Sequence, residues 1–373
     1  MTAARLKVIQ LLPALEGGGV ERGTLECSAA LVQAGHESVV VSAGGRLVNT
    51  LEQEGGTHVT WDLGKKSPLT LMQIGKFRRW LAEQQADILH VRSRMPAWIA
   101  YLAWRGMHAT SRPHLVTTLH GLHSVSRYSA VMGKGERVIA VSETARQYLI
   151  DHFQVPAERI TRIYRGISPS AFPLGHQPDA EWLSDWQQAY PQFENQFVIC
   201  LPGRLTRLKG HEHLLRIVRQ LKDEQIRVMA LIVGGEDPKR KSYAEEIYQL
   251  GHSLGIVDQL IYTGARSDIL NIYSISDLVL SLSTRPESFG RTVLEALSIG
   301  KPVIGYAHGG VGEILQTLYP EGQVENNQWQ VVAERIKSRV NGQDTSQPKP
   351  NEAFLLENMT GQTLDLYQEL VNS

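Results

Sequence analysis

Two glutamates, Glu287 and Glu295, stand eight positions apart in a segment whose residue order predicts a strand, a loop, a helix and a second strand. The loop ends near Gly290 and the helix begins around Arg291, so we expect Glu287 in the loop and Glu295 on the helix. The amino terminus of a helix presents free backbone amides and binds anions. Carboxylates accept hydrogen bonds from vicinal hydroxyl groups. This layout suits a phosphate held between two sugars, although an ordinary loop followed by acidic helix-start residues is the alternative.

A basic stretch bounded by glycines follows another predicted strand, at residues 203–210 (Gly-Arg-Leu-Thr-Arg-Leu-Lys-Gly). Arg204 offers a planar guanidinium and Lys209 a compact point charge. Cations of this kind can stabilise a departing diphosphate without a metal ion, because they meet the negative charge that develops in the transition state. Taken alone, the two side chains would more often be ordinary surface charges.

Together these segments resemble glycosyltransferase family 4, the retaining sugar transferases of GT-B architecture (glycosyl transferases group 1), including bacterial lipopolysaccharide-core sugar transferases. The matching features are a Glu, seven residues, a second Glu followed by Ala, and Gly-x-Pro-Val at residues 300–303. The resemblance implies that Glu287 contacts the donor sugar and that Glu295 holds the ribose hydroxyls of the nucleotide. It also implies that Arg204 and Lys209 grip the donor diphosphate.

The resemblance extends the expected donor site beyond these four side chains. It implies that backbone amides near the start of the helix meet the charge of the leaving group. It also implies that the nucleotide base lies after the third strand of the second half. The predicted substrate- and nucleotide-binding residues are Gly18, Gly19, Arg204, Lys209, Gly264, Arg266, Ser288, Phe289, Gly290, Arg291 and Glu295.

The first half of the chain contributes a glycine turn and a histidine. Residues 17–19 are three glycines after the first predicted strand, and their missing side chains allow a ligand to approach the backbone, although a plain tight turn is the alternative. His120 ends a predicted strand, where a lone histidine is usually structural. The resemblance places this histidine near the donor sugar. The predicted catalytic residues are therefore Glu287, His120, Arg204 and Lys209.

The sequence favours chemistry without a metal or a resident cofactor. No two aspartates stand two positions apart, so the Asp-x-Asp motif typical of metal-dependent sugar transferases is missing. Cys27 and Cys200 lie 173 positions apart, match no metal-ligand spacing and are expected to be idle thiols in a reducing compartment. The nucleotide-diphosphate sugar, with a UDP-sugar most strongly favoured, is expected as a co-substrate.

Short β-branched runs alternate with helical segments along the chain, which predicts βαβ units and parallel sheets. The predicted strands are 7–12, 38–42, 58–61, 88–91, 115–119, 138–141, 160–164, 197–201, 227–233, 260–262, 278–282 and 302–306. A segment with four prolines, 168–195, separates two such series.

We therefore expect an α/β protein of GT-B type, with two Rossmann-like, doubly wound parallel-sheet domains facing a cleft. The predicted domains are an acceptor-side domain (1–170), a nucleotide-sugar domain (171–350) and a last helix (351–373) that crosses back to the first domain.

The 373 residues carry no net charge, with 38 basic and 38 acidic side chains, but the charge is uneven. Residues 1–170 contain 20 basic and 13 acidic residues, a formal charge of +7. This excess favours an anionic partner, such as a phospholipid surface or a phosphorylated acceptor. Nucleic acid is not expected, because the basic residues are not combined with the motifs of a reader module.

The longest uncharged apolar run, residues 97–104, is far shorter than the ~18–20 residues that cross a bilayer. Basic and aromatic residues nevertheless recur in two segments and suggest a peripheral contact with an anionic membrane. Solvated basic helix faces with core aromatics are the alternative. The residues concerned are Trp61, Lys65, Lys66, Lys76, Phe77, Arg78, Arg79, Trp80, Trp98, Tyr101, Trp104 and Arg105.

The resemblance implies a retaining glycosyltransferase of the hexosyltransferase type, which moves a sugar from a nucleotide-diphosphate sugar to a hydroxyl group. We expect a saccharide or lipid-linked saccharide acceptor, as in lipopolysaccharide core synthesis, and a cytoplasmic protein working at the cytoplasmic face of the inner membrane. The same architecture also hosts sugar-nucleotide epimerases and polysaccharide phosphorylases. These activities, and a binder of nucleotide sugars without turnover, remain open alternatives.

Overall fold

The computed structural model describes residues 5–236 and 241–373 and separates the chain into two compact units. The first unit comprises Met1–Gly166 and Leu356–Ser373, and the second comprises Ile167–Leu355. The boundaries lie at 166/167 and 355/356 rather than at the predicted 170/171 and 350/351. The reason is that Ile167 forms a parallel bridge with Leu355, and its amide donates a hydrogen bond of 3.1 Å to the Phe354 carbonyl. Both ends of the second unit are thereby joined.

Strands and helices alternate through most of the chain. The strands are β1 (Lys7–Leu11), β2 (Glu37–Ser42), β3 (Thr57–Thr60), β4 (Ile88–Val91), β5 (His114–Leu119), β6 (Arg137–Ala140), β7 (Ile160–Arg162), β8 (Phe197–Pro202), β9 (Val228–Val233), β10 (Leu260–Gly264), β11 (Leu278–Ser281), β12 (Val303–Tyr306) and β13 (Gln323–Val324). The helices are α1 (Gly19–Gln33), α2 (Val48–Gln53), α3 (Pro68–Leu71), α4 (Ile74–Gln84), α5 (Arg94–Arg105), α6 (Glu143–Phe153), α7 (Ala180–Ala189), α8 (His211–Asp223), α9 (Lys241–Ser253), α10 (Ile269–Ser274), α11 (Arg291–Ser298), α12 (Gly309–Leu318), α13 (Trp329–Val340) and α14 (Leu356–Asn372).

Each unit contains one parallel sheet, as the sequence predicts. The first sheet has the order β3-β2-β1-β4-β5-β6-β7 and the second the order β10-β9-β8-β11-β12-β13. All twelve predicted strands are present, with ends that differ by at most two residues. Strands in the middle of such sheets are covered on both faces and therefore form continuous apolar runs. In β9, for example, all six residues are buried.

In both sheets the strand order changes direction, between β1 and β4 in the first unit and between β8 and β11 in the second. The crossover helices on the two sides of such a point cover opposite faces of the sheet, which leaves a crevice beyond the carboxyl ends of the two strands. Ligands of doubly wound proteins bind in this crevice. We therefore expect ligand-binding residues in the loops after β1, β4, β8 and β11.

The last helix, α14, completes the core of the first unit. Leu366, Tyr367 and Leu370 pack in one buried cluster with residues of β1, α1, β4 and β5. The Tyr367 hydroxyl lies 2.5 Å from His90 Nδ1, and His90 Nε2 lies 2.6 Å from Thr118 Oγ1. Burial lowers the pKa of His90 well below its ordinary value, so this buried network is neutral.

Two aromatic residues of the predicted membrane-contact patch, Phe77 and Trp104, are buried and cannot contact a membrane surface. Phe77 is fully buried and packs against Trp61 and Trp80 at ring distances of 5.4 and 5.5 Å. Trp104 is only 7% exposed, and its indole nitrogen donates a hydrogen bond of 2.7 Å to the Pro113 carbonyl. These rings fill the spaces between helices and the sheet, because their apolar area is too large to leave in water.

No helix in the described part of the chain is both long and apolar enough to span a bilayer.

Candidate functional site

Three loops of the second unit meet beyond the carboxyl ends of its central strands. They follow the adjacent strands β8, β11 and β12 and comprise residues 203–210, 282–290 and 307–308. Backbone hydrogen bonds join them, from the Thr284 amide to the Leu208 carbonyl and from the Gly310 amide to the Glu287 carbonyl, both 2.9 Å. The site is thus held by the main chain and does not depend on side-chain packing alone.

Two glycines permit this close approach of the loops. Gly210 has a φ of +74°, and a β-carbon there would overlap the Leu282 carbonyl. Gly309 has a φ of +62°, and a β-carbon would overlap the backbone of Glu287. Any other residue would strain the backbone and push the loops apart. These glycines therefore fix the position of Glu287 relative to the first loop.

Glu287 and Lys209 form an ion pair at this junction. Lys209 Nζ donates to Glu287 Oε1 at 2.7 Å, and the Ser283 hydroxyl donates to the same oxygen. Burial by itself would raise the pKa of Glu287, but the Lys209 charge and the two hydrogen bonds outweigh it and hold the pKa below its ordinary value. About a quarter of each side chain is exposed (27% for Lys209 and 25% for Glu287), so a ligand can reach both. The carboxylate is ionised at neutral pH.

Arg204 lies in the same loop as Lys209 but is exposed to solvent. Among the residues that the structure describes, none accepts a hydrogen bond from its guanidinium or pairs with its charge. Gly203, with a φ of +147°, packs against the Lys209 stem, where a β-carbon would lie 3.1 Å from Lys209 Cδ. The loop therefore offers one fixed cation and one that is open to an anionic ligand.

The second predicted glutamate lies on α11, which begins immediately after Gly290. Glu295 is only 4% exposed; its Oε1 accepts from Arg291 Nε at 2.9 Å and its Oε2 from the Tyr273 hydroxyl at 3.4 Å. A carboxylate has about four acceptor positions and can accept hydrogen bonds from more than two donors. Arg291, also predicted in the donor site, orients Glu295 through this contact. Ser288, Phe289 and Gly290 lead directly into the helix.

The predicted base site lies in the loop after β10. Gly264 ends β10, an edge strand that β9 separates from β8. Arg266 forms a two-pronged pair with Asp268, with distances of 2.9 Å from Nε and 2.6 Å from Nη2. Trp182 Nε1 donates to the same carboxylate at 2.8 Å. Arg266 is therefore already engaged within the protein.

In the first unit, Gly18 and Gly19 lie at the start of α1, the helix that follows β1. A β-carbon at Gly19 would meet no atom within 4 Å, so this backbone is open, whereas one at Gly18 would meet the Glu21 carboxylate. The Gly19 carbonyl accepts a hydrogen bond from Arg165. The turn thus provides an open stretch of main chain beside a fixed guanidinium.

His120 follows β5 and lies beside the same arginine. Arg165 Nη1 is 3.3 Å from His120 Nδ1, and since a guanidinium only donates, Nδ1 accepts and the ring proton is on Nε2. Burial, followed by the charges of Arg165 and Arg92, lowers the pKa of His120 well below its ordinary value. His120 is therefore a neutral hydrogen-bond donor at physiological pH.

Sequence reasoning missed Ser283 and His308 in the second unit and Gln10 and Arg92 in the first. His308 Nε2 donates to the Ser283 carbonyl at 2.7 Å and supports the loop that carries Glu287. Each of Ser283, His308 and Arg92 lies within two residues after the end of a strand. This position at the carboxyl end of a parallel strand is the sequence feature that could have identified them. No group of three or more His, Cys, Asp or Glu residues within the described ranges could hold a metal ion.

Two family models match the chain in sequence. The model described as Glycosyltransferase Family 4 matches residues 17–171, and the model described as Glycosyl transferases group 1 matches residues 184–352.

Several curated proteins are similar in sequence. An uncharacterised glycosyltransferase of Methanocaldococcus jannaschii is 27% identical over 202 residues, which are 53% of this chain and 48% of that protein. The D-inositol 3-phosphate glycosyltransferase of Mycolicibacterium smegmatis is 27% identical over 183 residues, 48% of this chain and 40% of that protein. The chain thus spans about half or less of these two relatives. The N-acetyl-alpha-D-glucosaminyl L-malate synthase of Bacillus anthracis is 25% identical over 330 residues, 84% of this chain and 81% of that protein.

Solved structures match over nearly the full length. A glycosyltransferase from Rickettsia africae has a TM-score of 0.84 and 28% identity and covers 99% of each chain. The Anabaena protein Alr3699/HepE, in complex with UDP and glucose, has a TM-score of 0.80 and 21% identity, over 98% of this chain and 100% of that one. Both likenesses agree with the two parallel-sheet units described above.

Proposed function

The chain belongs to the glycosyltransferases in which a family 4 domain precedes a group 1 domain, in GT-B architecture, and on that premise we propose that it transfers a sugar from a nucleotide-diphosphate sugar to a hydroxyl acceptor with retention of configuration. The observation that carries the proposal is the Lys209–Glu287 pair, held by three loops at the strand-order reversal of the second unit.

The proposed chemistry is mainly positioning and charge stabilisation. Lys209 and the open guanidinium of Arg204 stabilise the departing diphosphate, together with the backbone amides at the amino terminus of α11. Glu287, ionised at neutral pH, stabilises the donor sugar as its ring gains positive charge in the transition state. Glu295 holds the ribose hydroxyls, a part of the donor that the reaction leaves unchanged. His120 contributes a neutral N–H donor toward the donor sugar.

We assign a UDP-sugar as the donor. The complex of HepE with UDP and glucose supports this choice, since that protein has the same fold. Lys209 and Arg204 could bind any nucleoside diphosphate, and their positive charges support a diphosphate donor. The choice of uridine as the base rests on the complex of HepE with UDP.

The proposed acceptor carries negative charge. Two relatives are named for L-malate and for D-inositol 3-phosphate, and both compounds are anionic near neutral pH. The excess of positive charge in residues 1–170 is consistent with such an acceptor. A saccharide or lipid-linked saccharide with phosphate or carboxylate groups, of the kind found in lipopolysaccharide core, has this property.

We expect transfer to survive chelation of divalent metals, because cationic side chains supply the charge that a metal would otherwise supply. The test is product formation from a panel of nucleotide sugars, with and without EDTA. Equal rates in both conditions support the proposal. Activity that EDTA abolishes and manganese restores would contradict it, and donor conversion that needs no acceptor would point instead to an epimerase.

Peripheral membrane contact is the last element of the proposal, and it rests on an exposed apolar segment of the first unit. Leu69 and Met72 are 70% and 76% exposed beside an apolar groove lined by Trp98 and Leu102. Lys66 lies over the ring of Tyr128 at the rim of this groove, 4.8 Å from the ring centre. An apolar surface with adjacent cations suits an anionic lipid surface.

The double variant Leu69→Ser, Met72→Ser is expected to weaken sedimentation with vesicles of acidic lipid, and Lys65→Glu with Lys66→Glu is expected to do the same. Each engaged lysine contributes on the order of 1 kcal/mol, and the binding should fall as salt is added. Val257→Ser, at a 43% exposed position of the second unit, is the matched control. Binding of wild type that is absent or independent of salt would remove the membrane contact and leave the transferase assignment intact.

A further inference from the structure

We propose that residues 351–355, here called the connecting segment, position the helix α11 and thereby set the affinity for the nucleotide. The inference rests on the proposed function and deepens it, because it names the residues that hold Glu295 in place. The segment ends at the boundary between the two units, and all of its residues belong to the second unit. Asn351 and Phe354 are its positioning residues, and neither is assigned a contact with the donor.

Asn351 holds the carboxyl-terminal end of α11. Its Nδ2 donates to the hydroxyl oxygen of Ser298, the last residue of the helix, at 3.0 Å. Ser298 is only 8% exposed, and a buried hydroxyl group needs such a partner. Ser298 follows Glu295 by three positions, so the two side chains lie on the same side of the helix. The hydrogen bond therefore fixes the helix within one turn of the carboxylate that is assigned to the ribose.

The side chain of Asn351 is itself held by the connecting segment. Its Oδ1 accepts from the Phe354 amide at 3.0 Å, and its Nδ2 also donates to the Phe354 carbonyl at 3.2 Å. These contacts need a donor and an acceptor on the same side chain. An amide side chain supplies both, whereas an ionised carboxylate only accepts. Asparagine at this position therefore links the backbone of the segment to the helix.

Phe354 supports the other end of the helix. Its ring packs edge to face on the ring of Phe289, with 6.0 Å between the ring centres and 74° between the planes. Both rings are only 3% exposed. Phe289 lies two residues before Arg291, where α11 begins. Edge-to-face pairs have a preferred geometry and stabilise beyond the burial of their area. The connecting segment thus contacts the last residue of α11 and the residue that leads into its first turn.

The connecting segment also joins the two places where the chain passes from one unit to the other. Leu355 forms a parallel bridge with Ile167, and the Ile167 amide donates to the Phe354 carbonyl at 3.1 Å. The same carbonyl accepts from Asn351, so it is shared between the boundary and the helix contact. The backbone at both boundaries is therefore connected to α11 through a few residues of the segment.

A cavity of about 120 Å³ borders the contact between Asn351 and Ser298. Its lining also includes Ile167, Phe172 and Pro350. Side chains that face a cavity lack packed partners across the gap and gain little dispersion energy there. On this side of Ser298 the hydrogen bond from Asn351 therefore carries the contact. Its loss leaves the end of the helix room to move, and Glu295 moves with it.

Hydrogen–deuterium exchange of the full chain without ligand measures the hold on the helix. Asn351→Ala should speed the exchange of the α11 amides, because the helix opens locally more often, while the amides of β8 and β9 should exchange as in wild type. Phe354→Leu keeps an apolar side chain but loses the edge-to-face contact, and it should have the same effect. Asn326→Ala, at an exposed position of the same unit, is the matched control.

Calorimetry with UDP measures the consequence for the nucleotide. We expect Asn351→Ala to bind UDP at least about threefold more weakly than wild type, the size of effect that the loss of one hydrogen bond produces. Ser298→Ala removes the partner and should weaken UDP binding in the same direction. Because both changes act through one hydrogen bond, the double variant should bind UDP no more weakly than Asn351→Ala alone. By linkage, UDP should slow the exchange of the Ile167 amide in wild type.

Folded Asn351→Ala and Phe354→Leu proteins that bind UDP like wild type would overturn the inference. Exchange that becomes faster throughout the second unit would also overturn it, because the segment would then contribute only to stability. Bound UDP that leaves the Ile167 amide unchanged would overturn it without any variant. Wild type that binds no UDP would contradict the donor assignment. The exchange without ligand then decides the inference: faster exchange confined to α11 supports it, and unchanged exchange overturns it.

Discussion

Replacing Glu287 by glutamine is expected to lower kcat by about 10² or more, which corresponds to about 2.7 kcal/mol of lost transition-state stabilisation. The physical reason is that the amide keeps the size of the side chain but lacks the negative charge that opposes the developing charge of the sugar. Glutamine can still accept hydrogen bonds from Lys209 and Ser283, so the loops should remain in place. Steady-state kinetics with the intact donor measure the effect.

The affinity of Glu287→Gln for the free nucleotide diphosphate should stay close to that of wild type, because the sugar is absent from this ligand. Glu334→Gln, at a side chain 58% exposed on α13, is the matched control and should leave both kcat and nucleotide affinity unchanged. A Glu287→Gln enzyme with a normal kcat would show that the carboxylate only orients Lys209.

Replacing Glu295 by alanine is expected to weaken both the nucleotide diphosphate and the intact donor by about 1.5–3 kcal/mol, the value of hydrogen bonds to a charged group. Because the ribose is unchanged in the reaction, the variant should raise KM more than it lowers kcat. Loss of the contact with Arg291 also removes a buried ion pair, so thermal unfolding is measured in parallel. Glu295→Gln keeps an acceptor for Arg291 and should show a smaller loss.

A folded Glu295→Ala protein with unchanged nucleotide affinity would show that Glu295 serves only to hold Arg291 and Tyr273. Equal losses in kcat and in kcat/KM, with KM unchanged, would place its contact in the transition state instead of in the ground state.

The strands were predictable because parallel sheets leave a direct mark in the sequence. Central strands such as β8 and β9 are buried on both faces and so appear as uninterrupted apolar runs. The two-residue strand β13 left no such mark, since Gln323 and Val324 lack both length and apolar continuity. The last helix begins at Leu356 instead of at 351, because the bridge between Ile167 and Leu355 keeps the preceding segment extended.

Site residues that belong to a short sequence motif could be predicted from the sequence. Contacts between side chains that follow different strands could not. The pairing of Lys209 with Glu287 joins positions 78 residues apart, and the pairing of Arg92 with Gln10 joins positions 82 apart. No periodicity links such residues; only the strand order brings them together. Arg266 pairs with Asp268, two residues later, and the sequence analysis did not predict this local contact.

The two glutamates are proposed to contact opposite parts of one nucleotide-sugar donor, and calorimetry with UDP in the presence of EDTA distinguishes their roles. Wild type, Glu287→Gln and Glu295→Ala are titrated under identical conditions. We expect wild type and Glu287→Gln to bind UDP with nearly equal affinity, and Glu295→Ala to bind it at least about tenfold more weakly. Equal losses in both variants, or no loss in either, would contradict the assignment of the sugar to Glu287 and the ribose to Glu295.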